Sequence, residues 1–182
     1  MPVQFEQIED KQRIVIIDSE GSSEIMKVAL HVLEKNQRKY DYWWANDEHA
    51  ISDAPVILIE AQDEATEGNK AKFFDFHHHI IVLHHVSDQF PASYDSYETY
   101  LAQFENLADQ TPKAGTILYY QDDYVANLIA GEREREDIKL IEYGNIDNLS
   151  ERASAARSLL KRIGITDQMF DEAYKSYQNK TR

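Results

Sequence analysis

The stretch Arg13-Ile14-Val15-Ile16-Ile17-Asp18-Ser19-Glu20-Gly21-Ser22-Ser23-Glu24-Ile25-Met26 decides the fold. It opens on a nearly continuous apolar run, the pattern of a strand buried on both faces. Ser19 to Ser23 are small or polar and hold the only glycine of the unit. Ile25, Met26, Ala29, Val32 and Leu33 then recur at helical spacing, and the pattern ends near Asn36. In α/β proteins phosphates bind at such a strand–turn–helix unit, because a helix N-terminus offers free N–H groups and a positive dipole end. The charge here is wrong for an anion. Asp18, Glu20 and Glu24 bring three carboxylates to the turn, and no lysine lies between Arg13 and Lys27.

Outward from this unit, residues 39–44, 55–61, 80–83, 116–120 and 137–143 read as further strands. Ser93 or Asp95 is expected to cap a helix that carries Tyr97, Tyr100, Leu101, Phe104 and Leu107 on one face. Asp122-Asp123 starts a short helix to Ala130, closed by Gly131. Asn148 or Ser150 caps a helix through Arg162, and Thr166 caps a last one through Tyr177. Residues 71–76 are too short a segment to classify. Apolar strands alternating with helices predict an α/β three-layer sandwich with a mostly parallel sheet. Residues 1–182 read as one domain, with 1–12 as a lead-in and 148–182 as a helical pair in the same domain.

Composition bounds the partners. The 182 residues carry a formal net charge of −14, which argues against nucleic acid and anionic membrane surfaces, since both require clustered Lys and Arg. There is no cysteine, so disulfides, thiolate catalysis and Cys-ligated zinc are excluded. No signal pattern and no apolar stretch of membrane-spanning length is present, and a cytoplasmic location is expected by default.

Four segments in order resemble the central, ATP-binding domain of the Mur ligase family, closest to its muramate–alanine and muropeptide ligase branch. These are Ile17 to Lys35, with the ending Val32-Leu33-Glu34; Ile57-Leu58-Ile59-Glu60-Ala61 with Phe73-Phe74-Asp75 beyond it; Leu118-Tyr119-Tyr120-Gln121-Asp122-Asp123; and the alanine-rich Leu149 to Ile165. The resemblance implies a P-loop NTPase-like fold and enzymes that join amino acids to a UDP-muramyl precursor of peptidoglycan through an acyl phosphate. It also marks departures. The family's Gly-Thr-His-Gly-Lys-Thr-Thr aligns with Asp18-Ser19-Glu20-Gly21-Ser22-Ser23-Glu24, where only Gly21 survives and Ser22 replaces the lysine. The family's histidine for the second metal, after the fourth strand, aligns with Phe90, although His84 and His85 lie nearby. The nucleoside-holding His-Asn-x-x-Asn aligns with Asn148-Leu149-Ser150-Glu151-Arg152 and is lost. The flanking UDP-binding and C-terminal domains have no counterpart in these residues.

Each candidate site has a bland reading beside the functional one. The turn Asp18, Ser19, Glu20, Gly21, Ser22, Ser23 reads as a relict nucleotide site whose acids cap the helix, at ~0.3–1 kcal/mol each. Glu60 and Asp63 read as a relict metal or ligand pair that binds magnesium weakly without phosphates. His77, His79, His84 and His85 are metal candidates, with His77 and His79 on one face and His84 and His85 pointing opposite ways; no metal is expected. Trp43, Trp44, Phe90, Tyr119 and Tyr120 lie near strand ends as a candidate interface.

The function expected is a degenerate, non-catalytic Mur ligase-like binding or interaction domain, linked to peptidoglycan precursors, with no catalytic residue. One alternative is a nucleotide-binding, ATP-dependent amide ligase component completed by partner chains. A second is a structural subunit unrelated to the cell wall. No cofactor is expected, and ATP with Mg is the pair to test. The partner is expected to be a protein or a second copy of the chain.

Overall fold

The computed structural model describes residues 4–21, 23–44, 50–65 and 68–181. Ser22 and part of the 46–53 connection lie outside the described residues. A six-stranded sheet runs in the order β2 (Asp41–Trp43), β3 (Val56–Glu60), β1 (Gln12–Asp18), β4 (Ile80–His85), β5 (Thr116–Tyr120), β6 (Lys139–Tyr143). All five pairings are parallel. Every strand therefore presents its C-terminal end at the same rim.

The apolar runs are continuous because both faces are covered. Ile14, Ile16, Leu58, Val82 and Leu118 face α1 (Glu24–Lys35), α4 (Glu151–Lys161) and α5 (Asp167–Lys180). Val15, Ile17, Ile57, Ile81, Leu83 and Ile117 face α2 (Tyr97–Asp109), the 3-10 turn Lys72–Phe76, and α3 (Tyr124–Ala126), which runs on into a π turn (Asn127–Gly131). The 71–76 segment thus supplies Phe73, Phe74 and Phe76 to the core. Alternation along a strand puts successive side chains into different layers.

Asp123, Ser150 and Thr166 cap the helices that follow them by accepting backbone N–H groups. The α2 cap is Ser96, which accepts from Thr99 N, and not Ser93 or Asp95; those two instead bond Ala65 N and Asn69. Gly115 enters β5 where the chain passes close to its neighbours, since a Cβ there would lie 2.7 Å from the Pro112 carbonyl oxygen.

A buried ion pair not signalled by the sequence closes the other end of the sheet. Lys11 Nζ lies 3.2 Å from Asp41 Oδ2 and donates to the carbonyls of Ser52 and Ala54. It ties the lead-in to β2. Among the described residues no helix is long and apolar enough to cross a membrane.

Candidate functional site: the acidic C-terminal rim of the sheet

The rim gathers the ends of β1, β3, β4, β5 and β6 with the N-terminus of α4. At its centre is the β1–α1 turn. Gly21 has a φ of 66° and Ser23 a φ of 54°, both left-handed, so the chain reverses tightly before α1 begins at Glu24. Gly21 N–H donates to the Asp18 carbonyl at 2.9 Å.

Part of the turn's charge is offset from elsewhere. Arg152, in the first turn of α4, donates Nε to Asp18 Oδ2 at 2.7 Å and Nη2 to Glu20 Oε2 at 2.6 Å, and its Nη1 reaches Glu151 Oε1 at 3.2 Å. The bond to Asp18, ahead of the one to Glu20, raises the guanidinium pKa further above its ordinary value. The turn's acids, expected to cap N–H groups, also take partners from helices distant in sequence. Asp18 Oδ1 accepts from Glu20 N–H, Asp18 Oδ2 accepts from Arg152, and Glu24 accepts from the Tyr177 hydroxyl at 3.1 Å. The α1 N-cap residue, Ser23, accepts no helix N–H through its side chain. A guanidinium neighbour satisfies a half-buried carboxylate better than one N–H, because it brings opposite charge as well as a donor.

Beside the turn lies a cleft of about 230 Å³ lined by Asp18, Glu60, Asp63 and Glu64, with Trp44 and Gly21 among its other walls. Glu60 and Asp63, paired as candidates, play different parts in it. Asp63 Oδ2 accepts from Tyr100 OH at 2.6 Å and Ser19 Oγ at 2.9 Å, which locks the loop to α2. Glu60 Oε1 accepts from Ser23 Oγ at 2.6 Å, while its Oε2 is buried without a hydrogen-bond partner. Burial raises the Glu60 carboxyl pKa, and the Ser23 bond only partly opposes it.

On the other side of Arg152 stand His84 and His85. They do not point apart as strand alternation predicts. The β1–β4 register slips between Ile17 and Asp18, so Asp18 pairs with His85, and both imidazoles turn toward Glu151. His84 is fully buried and stacks on Tyr120; its Nδ1 meets Tyr143 OH at 2.9 Å, and its Nε2 lies 3.5 Å from Glu151 Oε1. His85 Nδ1 meets Asp123 Oδ2 at 3.2 Å and its Nε2 meets Glu151 Oε1 at 3.2 Å. The Asp123 bond holds the His85 pKa up at about 9, whereas burial pushes His84 down to about 4. The two neighbouring histidines are thus driven in opposite directions, His85 toward its protonated form and His84 toward its neutral one.

The other candidates fall elsewhere. His77 and His79 sit at the opposite end of the sheet, before β4 starts, so they share no strand face. His77 packs on Phe5, and the His79 ring accepts from Arg13 N–H at 3.0 Å. Tyr119 and Tyr120 are buried, the first against the π turn and the second against the histidines, so they form no exposed patch. Trp43 is half-buried on Phe76, and Trp44 packs on Tyr42. Only Phe90 of the candidate interface is an exposed large apolar side chain, at 39%; Tyr124 at 76% and Leu128 at 40% join it among the described residues. Sequence reading missed Glu151 and Arg152 as site residues. The signal was present as an acid and a base just after the Ser150 cap, since the first turn of a helix packed over strand ends points at the rim.

No protein-family model matches this sequence, and no curated protein does. Solved structures do. A UDP-N-acetylmuramate:L-alanyl-gamma-D-glutamyl-meso-diaminopimelate ligase from Neisseria meningitides superposes with a TM-score of 0.72 at 13% identity, over 91% of this chain and 65% of that one. A murein peptide ligase from Psychrobacter arcticus gives 0.67 at 12% identity, over 91% and 46%. MurF from Acinetobacter baumannii gives 0.68 at 8% identity, over 92% and 46%. This chain thus spans between about half and two-thirds of the length of those structures. Identities this low speak to architecture only, and on that ground the chain has a Mur ligase-like, P-loop NTPase-like α/β fold.

Proposed function

We propose that this is a non-catalytic, Mur ligase-like binding domain in which the phosphate turn survives as architecture. The observation that carries this reading is the cleft at the turn. Asp18, Glu60, Asp63 and Glu64 line it, no cationic side chain does so among the described residues, and the nearby Arg152 is engaged by Asp18, Glu20 and Glu151. Phosphoryl transfer needs cations around a polyanion that gains charge at its equatorial oxygens. A triphosphate placed here would face carboxylates at close range, a repulsion of about 1 kcal/mol per unit pair even in water and several times that near a protein surface.

A link to peptidoglycan precursors rests on the neighbours, which are named as muramate and murein peptide ligases. In this role the domain works through a protein partner or a second copy of itself. Phe90, Tyr124 and Leu128, each exposed, are the side chains we assign to that contact. Titrating the protein with ATP and Mg in a calorimeter, and assaying phosphate release, tests the reading. The expected result is no saturable heat and no release above the buffer blank, for the natural chain and for Ser22→Lys. Protein-dependent phosphate release overturns it.

One observation favours a second reading, a nucleotide-binding component completed by other chains. Ser23 Oγ and Glu60 remain a hydroxyl–carboxylate pair at 2.6 Å, with the second Glu60 oxygen unbonded. Saturable ATP binding without hydrolysis would select it.

A further inference from the structure

The fully buried His84 Nε2 has no hydrogen-bond partner and points at Glu151. Buried polar atoms are nearly always paired, so an orphan nitrogen in a packed rim asks for an explanation. We propose that His84 Nε2, His85 Nε2 and Glu151 Oε1 form a three-ligand site for a divalent transition metal of the zinc class.

Three features of the geometry support it. The ligand atoms all lie within 4.8 Å of one another, with Glu151 Oε1 3.5 Å from His84 Nε2 and 3.2 Å from His85 Nε2. A tetrahedral ion about 2.0–2.1 Å from each ligand sets its ligands roughly 3.4 Å apart, so little rearrangement is needed. Next, both imidazoles are held from behind. Asp123 fixes His85 through Nδ1 and Tyr143 fixes His84 through Nδ1, which leaves both Nε2 atoms facing the same carboxylate oxygen. Outer partners of this kind orient histidine ligands and set their tautomer. Finally, the charge is suitable. Asp18, Glu20, Asp123 and Glu151 surround the place, and Arg152 keeps Asp18 and Glu20 as partners if it yields Glu151.

Two nitrogen ligands select zinc, cobalt or nickel over magnesium. The set differs from Ser23, at the turn, and Glu60, at the end of β3, so metal binding here needs no nucleotide. Glu20 stays with Arg152, so the fourth coordination position is left open.

The test uses the full chain, freed of metal with a chelator, and titrated with zinc alone against a chromogenic competitor at mildly alkaline pH. One equivalent is expected to bind with micromolar or tighter affinity. The affinity should fall at least tenfold in His85→Gln and in Glu151→Gln, each checked for folding by circular dichroism, and stay unchanged in His77→Gln at the far end of the sheet. No stoichiometric binding to the natural chain overturns the proposal, as does affinity unchanged in both rim variants. If those variants unfold, assigned histidine ring signals of the natural chain decide. Zinc must shift His84 and His85 and leave His77 to His79 in place, and the reverse pattern overturns the site.

Discussion

Arg152 donates to the Asp18 carboxylate at 2.7 Å, joining the first turn of α4 to the end of β1 across 134 residues of chain. The Asp18 side chain is 7% exposed and that of Arg152 is 16%, so this is not a screened surface bridge. Breaking a buried pair from one side leaves an uncompensated charge, which costs far more than the pair itself contributes. Arg152→Met is expected to destabilise the domain by about 3 kcal/mol, near the low end for such sites. Removing the exposed Lys161–Asp167 pair should cost under about 1 kcal/mol. Urea unfolding of the two variants, read at equal slope, compares them.

The Lys11–Asp41 pair predicts a larger effect because both side chains are almost entirely enclosed. Asp41 also accepts from Ser52 N–H and Ser52 Oγ, so its carboxylate organises the approach to β3. Asp41→Ala should cost about 3–5 kcal/mol, since it strands the Lys11 ammonium away from water. Thermal unfolding should show a drop of several degrees or loss of the folded state.

His78 sets an acid limit on stability. It is buried against Thr111, with Nε2 2.8 Å from the hydroxyl, and burial lowers its pKa to about 3. The folded value lies below the unfolded value of about 6.5, so the unfolded chain binds the proton more tightly. This contribution is complete above the unfolded pKa and is lost as pH falls from about 6.5 toward 3, at up to about 1.4 kcal/mol per unit. Replacing His78 with Gln should flatten that slope in unfolding measured across the acid range. A slope unchanged in the variant would assign the acid sensitivity to other groups.

At the start of α1, Glu24 is supported by the Tyr177 hydroxyl and by the helix dipole, and both contacts are partly solvated. Glu24→Gln keeps an acceptor for the tyrosine and removes only the charge. The stability change in moderate salt should stay under about 1 kcal/mol. Chemical denaturation with and without added salt measures it.

The order of strands and helices was legible in the sequence. Continuous apolar runs such as Ile14 to Ile17 and Ile80 to Leu83 can only be satisfied by a sheet covered on both faces, and Asp123, Ser150 and Thr166 signal helix starts by local chemistry. The acidic turn around Gly21 was also legible, because charge is written residue by residue. What the turn's acids bond to was not. Arg152, Tyr177 and Tyr100 come from helices far along the chain, and only packing of α4, α5 and α2 brings them to Asp18, Glu24 and Asp63. The burial of Tyr119 and Tyr120 likewise depends on which helices lie over the strand ends. Strand periodicity sends His84 and His85 to opposite faces, and a register slip beside β1 turns both toward Glu151. Local patterns specify elements because propensity, capping and periodicity act within a few residues. The rim belongs to the tertiary structure, because the contacts that define its charge and its histidine cluster join residues distant in sequence.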